Sequence, residues 1–137
     1  MNTTPPPAIF ADDQHRELYR STLDRMKNTD CYHRAAAYLL SLDNVLRDHM
    51  GAVFDFSEDA IKPEGMDAAF QTSTSRKTSR LIWNLWNGYD GNEELNEDGE
   101  PTDPTRYYTP ESIFGCTYLP YYLEAVKIRF EIFTPED

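Results

Sequence analysis

Apolar residues recur at helical spacing in four stretches of this chain. Leu18, Tyr19, Thr22, Leu23 and Met26 share one broad face at 100° per residue, behind Asp12 or Asp13 as a cap. This predicts a first helix reaching about Lys27. Asn28-Thr29-Asp30 then breaks and recaps the chain. The second stretch has the cleanest face. Tyr32, Ala35, Ala36, Leu39, Leu42, Leu46 and Met50 cluster opposite Arg34, Ser41, Asn44 and Asp48, which predicts one helix from Cys31 to Met50 stopped by Gly51. The third helix is expected over Arg76–Asn87, with Thr78, Leu81, Ile82, Leu85, Trp86 and Tyr89 as its core stripe and Gly88 as its stop. The last is expected over Tyr118–Phe133. It has a main stripe of Leu119, Tyr122, Leu123, Val126, Phe130 and Phe133, and a second one of Tyr121, Ala125, Ile128 and Ile132. A helix apolar on two sides belongs in the middle of a bundle or at a subunit contact.

The connections read as irregular. Val53–Gly65 offers Phe54 and Phe56 as core plugs, and Lys62-Pro63-Glu64-Gly65 has turn chemistry. Met66–Phe70 suits one helical turn, Gln71–Ser75 is cap material, and Thr109-Pro110 opens another short turn. Tyr89–Tyr108 carries Gly91, Gly99, Pro101 and Pro104 and is long for a loop in a compact domain. The expectation is an all-α fold: one domain over 1–137, a compact bundle of about four main helices with irregular connections. Residues 1–9 form a mobile lead and residues 90–104 an acidic loop insertion.

Composition changes this picture in two ways. Aromatic residues make up 13% of the chain, so large rings should fill much of the core. The formal charge is −11, which argues against nucleic acid and anionic lipid as partners. Much of that acidity is local, because Asp90, Glu93, Glu94, Glu97, Asp98, Glu100 and Asp103 follow one another with no Lys or Arg between them. Cys31 and Cys116 stand far apart, which is neither a disulfide framework nor a zinc pattern. No stretch has the apolar length of a membrane span and the N-terminus lacks a signal-peptide pattern, so a cytoplasmic protein is expected.

Two constellations carry candidate chemistry. Asp43 falls in the middle of the second helix's apolar stripe, so it is expected to be buried. An unpaired carboxylate there would cost several kcal/mol, on the order of an ion's effective desolvation. It therefore needs a cation, backbone amides or a polar pocket. Arg76, Arg80, Trp83 and Asn87, at spacings of four, three and four, make a second face on the third helix. Two guanidinium groups beside an indole suit an anion, a nucleotide base or an acidic partner. The plainer reading is a Trp packed under a loop beside arginines that are solvated or paired to carboxylates.

Other patterns fail. His33 and His49 would project from opposite sides of one helix, and no HExxH pair exists, so no metal site is expected. Asp90, Asn92 and Glu94 alternate like calcium ligands, yet Leu95 stands where that loop requires Gly. No nucleophile elbow, Walker A or dinucleotide glycine pattern occurs, so no cofactor is expected. Cys116, before the last helix, reads as a small buried thiol.

Ala35-Ala36-Ala37-Tyr38-Leu39-Leu40-Ser41-Leu42-Asp43, Ile61-Lys62-Pro63-Glu64-Gly65, the stretch from Gln71-Thr72 to Leu85-Trp86-Asn87-Gly88, and Leu119-Pro120-Tyr121-Tyr122-Leu123-Glu124-Ala125-Val126-Lys127 together resemble an uncharacterised family. It comprises small proteins of anaerobic Firmicutes and their mobile elements. The resemblance carries no assigned activity, so it transfers no functional residue, and it implies a bacterial accessory protein. The resulting expectation is a non-enzymatic binding or regulatory protein working through protein–protein contacts, an inhibitor being one form. The alternative is a small enzyme or ligand-binding protein with a polar pocket around Asp43 and the arginines of the third helix. Neither reading fixes the oligomeric state.

Overall fold

Short acidic side chains start the first two helices. In the computed structural model, which describes residues 7, 9–89, 97–99 and 105–132, the Asp12 carboxylate accepts the His15 N–H at 2.7 Å and α1 runs Asp13–Arg25. Asp30 does the same for His33 N–H at 3.0 Å, opening α2 at Cys31–Leu42. The acidic loop expected at 90–104 lies almost wholly outside the described residues. So does most of the lead expected at 1–9, but its described part is held: Pro7 is buried and the Tyr38 hydroxyl donates to Ile9 O at 2.7 Å.

The fold is mostly helical, and α2 is its centre. Every side chain from Ala35 to Leu42 is buried. Three helices pack against it: α1, Ser73–Asn87 and Leu119–Phe130. A helix covered on several sides cannot keep a polar face. Ser41, expected opposite the core, is buried and donates to Ala37 O at 2.7 Å.

The long second helix is a correction. Asp43 leaves the helix with extended φ/ψ, and its carboxylate accepts N–H bonds from Val45 at 2.8 Å and Leu46 at 3.2 Å. A new turn follows as α3, Asn44–Arg47, and another as α4, Met50–Val53, which contains Gly51 instead of ending there. Asp followed by Asn offers the backbone local side-chain bonds that compete with helix continuation. The apolar residues still reach the core: Leu46 and Met50 are buried. Arg47 fixes the bend, donating to Ser41 O at 2.7 Å, Gln14 at 3.0 Å and Asp12 at 3.1 Å.

The irregular stretch contains a small hairpin. Strand β1, Phe54–Asp55, pairs antiparallel with β2, Ala60–Ile61, placing Phe54 opposite Ile61. Phe54 is fully buried and meets Trp86 edge-on. A 3-10 turn over Pro63–Asp67 follows, and here glycine is required. A Cβ on Gly65 would sit 2.2 Å from the Ala52 carbonyl oxygen. Next come α5, Ser73–Asn87, a 3-10 turn at Thr105–Tyr108, α6, Pro110–Phe114, and α7, Leu119–Phe130.

In α7 each of the two expected stripes is split. Tyr122 of the main stripe is buried together with Ala125 and Ile128 of the second, while Leu123 and Phe130 of the main stripe and Ile132 of the second are exposed. The central position expected for this helix belongs to α2. Among the described residues no helix is long and apolar enough to cross a membrane.

Candidate functional site

Helix α5 begins three residues earlier than its apolar stripe suggests. Thr72 accepts the Ser75 N–H at 3.0 Å, and Ser75 Oγ accepts the Thr72 N–H at 2.8 Å, a reciprocal cap that extends the helix to Ser73. Gln71 braces this start by donating to Gly65 O and Ser79 Oγ, both at 3.0 Å. The extra turn places Ser73 one turn before Arg76 and Lys77, and Arg80 one turn beyond them. These four line an open cleft of about 520 Å³ together with Asp67, Tyr107 and Ser112.

Among the described residues, Arg76, Lys77 and Arg80 line the cleft beside one carboxylate, Asp67, in a chain with nearly twice as many acidic as basic residues. Neutral backbone carbonyls anchor Arg76 and Lys77, and Arg80 lies against an aromatic ring. Arg76 donates its Nε–H to Met66 O at 3.2 Å, and Lys77 Nζ donates to Ser112 O at 2.6 Å. The Arg80 guanidinium lies over the Tyr107 ring, 4.5 Å from its centroid. Among the described residues no salt bridge involves Arg76 or Lys77. The Arg76 Nη groups and two of the three Lys77 protons therefore remain for an incoming acceptor. Arg76, Lys77, Arg80, Tyr107 and Ser112 are half-buried, and Asp67 and Ser73 exposed, so the cleft is shallow and reachable.

Sequence spacing grouped Arg76, Arg80, Trp83 and Asn87, and the structure divides that set. Trp83 stacks on Tyr89 with centroids 3.7 Å apart and planes 11° apart, and Tyr89 in turn meets Tyr108 edge-on. Asn87 accepts the Tyr89 N–H at 3.0 Å, beside the left-handed Gly88 that ends the helix. These two residues close the C-terminal end of α5 and do not line the cleft. Ser73 escaped the sequence reading because the helix was started at Arg76, and Lys77 because the face was drawn through Arg76, Arg80, Trp83 and Asn87. On the longer helix, Ser73, Arg76, Lys77 and Arg80 form one face at steps of three and four.

Asp43 lies on the other side of α5. It is 2% exposed, and its second oxygen accepts the Thr78 hydroxyl at 3.3 Å. Thr78 Oγ1 stands 2.6 Å from the Tyr122 hydroxyl, which therefore donates to it. Burial pushes the Tyr122 hydroxyl well up from its ordinary pKa, so it keeps its proton. Both Asp43 oxygens are occupied, and Asp43 does not line the cleft. The polar pocket expected to join Asp43 with the arginines is thus two separate places.

His15 and His33 are equally occupied. His15 is fully buried, its Nδ1 accepting the Ala11 N–H at 3.0 Å and its Nε2–H donating to Tyr38 O at 2.9 Å. His33 has Asp30 at 2.6 Å from Nδ1 and Asp59 at 2.8 Å from Nε2. Burial raises the Asp30 carboxyl, but the hydrogen bonds from His33 outweigh it and hold Asp30 below the usual carboxylate range. Asp59 sits at φ +58°, a strained turn residue whose carboxylate pins the hairpin to α2. His49 stacks on Phe70. Among the described residues no group of three or more His, Cys, Asp or Glu is arranged to hold a metal ion.

Comparison with curated proteins finds no match, and comparison with solved structures finds none either. Residues 6–135 match the family of unknown function DUF6075. That match covers nearly the whole chain, both walls of the cleft included, and the protein belongs to this family.

Proposed function

We propose that this is a non-enzymatic binding or regulatory protein of a bacterial accessory or mobile element, acting through contacts with a protein partner. Its working surface is the cleft of Ser73, Arg76, Lys77 and Arg80, which receives an anionic group of that partner. One observation carries the reading: Arg76 and Lys77 face an open cleft with no ion pair to any described residue, although carboxylates abound in the chain. Cations without an internal ion-pair partner at a reachable surface are what an external acid would engage. An inhibitor would use the same surface to cover an acidic site on its target.

The chemistry of the buried groups supports binding over catalysis. His15 and His33 have both ring nitrogens engaged, and Asp43 both oxygens, so none is offered to a substrate. The cleft volume, within the roughly 300–1,000 Å³ typical of ligand sites, favours a small anionic ligand as the second reading.

Charge reversal tests the proposal. Arg76→Glu with Lys77→Glu should fold and melt like the parent chain but no longer retain the protein that the parent captures from its native host. Equal capture by both chains would remove the cleft from the function.

A further inference from the structure

We propose that the outer side of α7 is a second docking surface, and that it takes one amphipathic helix of a partner, apolar on the face it presents and acidic along its flanks. This goes beyond the cleft and does not rest on it. Leu119, Leu123, Val126 and Phe130 follow one another along α7 at steps of four, three and four. Leu119 and Val126 are half-buried, and Leu123 and Phe130 are exposed. Tyr32, at the start of α2, joins them through Arg129, whose guanidinium lies 3.8 Å from the Tyr32 ring centroid and 4.7 Å from that of Phe130. At the end of α7 Glu131 is left-handed. The Ile132 N–H turns back to donate to Lys127 O at 2.9 Å, which brings the exposed Ile132 alongside the last turn. Of the five large apolar side chains exposed among the described residues, Tyr32, Leu123, Phe130 and Ile132 gather here. Such a gathering marks an interaction site, whereas single apolar residues scattered over a surface do not.

Shape, charge and area choose the occupant. Alternating steps of four and three make the ridge against which a second helix packs. The backbone of α7 is bonded within the helix, so it offers no edge to an added strand. Arg129 donates its Nε–H to Leu85 O at 2.7 Å, and its Nη groups donate to no described residue. Lys127 is exposed, and among the described residues no salt bridge involves either side chain. Two cations thus border the apolar strip and call for carboxylates on whatever covers it. The exposed parts of the four apolar side chains amount to roughly 400 Å², against the ~800 Å² that each side of a stable interface between folded proteins buries. A second copy of the chain is a poor occupant on both counts. The carboxylates of α7 and its cap are Glu124, which is buried, and Glu131, which pairs with Arg34 at 3.3 Å. Two copies of α7 would therefore set cations against cations.

The test uses the full chain, isotopically labelled and followed by NMR. The probes are two synthetic helical peptides with the same Leu stripe, one with Glu at the flanking positions and one with Lys. The Glu peptide should shift the amide signals of Tyr32, Leu123, Arg129 and Phe130. It should bind about tenfold or more tightly than the Lys peptide, the ratio for roughly one charge pair matched instead of opposed. Leu123→Ser with Phe130→Ser should fold, since both side chains are exposed, and should abolish the shifts. Lys127→Glu leaves the apolar strip in place and should narrow the preference between the peptides. Arg76→Glu with Lys77→Glu should bind the Glu peptide as the parent does, which separates failure of the cleft from failure of the strip. Equal affinity for the two peptides would overturn the acidic flanks. A parent chain that dimerises in sedimentation, while Leu123→Ser with Phe130→Ser does not, would give the strip to a second copy. Tighter peptide binding by Phe133→Ser would give it to the chain's own tail. Shifts confined to other residues, or none from either peptide, would overturn the surface itself.

Discussion

The inner face of α5 presents Thr78, its outer face Arg76 and Lys77, and the two sides treat polar groups differently. Inside, Thr78 links Asp43 to Tyr122, and each of the three is at most 2% exposed with its polar atoms engaged. Outside, two cations are held by neutral carbonyls and their charge is left without a carboxylate among the described residues. Burial obliges the first arrangement, since an unmatched polar atom there loses water and gains nothing. Solvent permits the second. A satisfied buried carboxylate therefore marks architecture, and cations unmatched beside a cleft mark a surface available to something else.

The sharpest way to break the inner side is Asp43→Ala. It removes the cap on Val45 and Leu46 and the acceptor that Thr78 shares between Asp43 and Thr74 O, so we expect a loss of about 2 kcal/mol in denaturant melts. Asp43→Asn keeps an oxygen for the two amides and should cost about 1 kcal/mol, the net worth of one hydrogen bond. If both variants melt like the parent, Asp43 is not the element that ends α2.

A smaller effect on the same side is linked to pH. Burial, and then the nearby Arg47 charge, push the His15 pKa below its ordinary value, against the opposing pull of the Tyr38 carbonyl and Asp12. Protonation at Nδ1 would also break the bond from Ala11. The unfolded chain thus binds this proton more readily than the folded one. The His15 contribution is complete above about pH 6.5 and declines as pH falls toward the lowered folded pKa. His15→Gln should flatten the dependence of stability on pH just below about 6.5. An unchanged slope would assign that dependence to another group.

How much of this was legible in the sequence follows from the same division. Helix existence was readable, because Tyr19, Leu39, Leu81 and Tyr122 repeat at the helical period and all are buried. The caps at Asp12, Asp30 and Gly88 were readable from residue type. The break at Asp43 was not, since Leu46 and Met50 continue the period across it while the backbone follows the carboxylate. The burial of Asp43 was legible as a lone charge in an apolar stripe. The cleft was half legible. Arg76 and Arg80 stood out by spacing, but Ser73 depends on a reciprocal cap, and Tyr107 and Ser112 come from a distant segment that periodicity within one helix cannot reach. The roles of Trp83 and Asn87 depend on Tyr89, beyond the helix end.

The smallest expected change is the most informative about the outer side. Arg76→Gln with Lys77→Gln removes two bonds to backbone carbonyls, Met66 O and Ser112 O. Both side chains are half-buried, and at an open cleft water can take over the carbonyls. The substitution also relieves repulsion between Arg76 and Arg80, one turn apart on the same helix, and Gln has a helix preference close to that of Lys and Arg. These terms oppose one another, so the melting midpoint should correspond to a change within about 0.5 kcal/mol. Added salt should narrow the difference further, because screening weakens the like-charge repulsion that the substitution removes. A loss of about 2 kcal/mol or more would place these residues with Asp43 and Thr78, among groups the fold itself requires. The contrast between the two faces of α5 would then disappear.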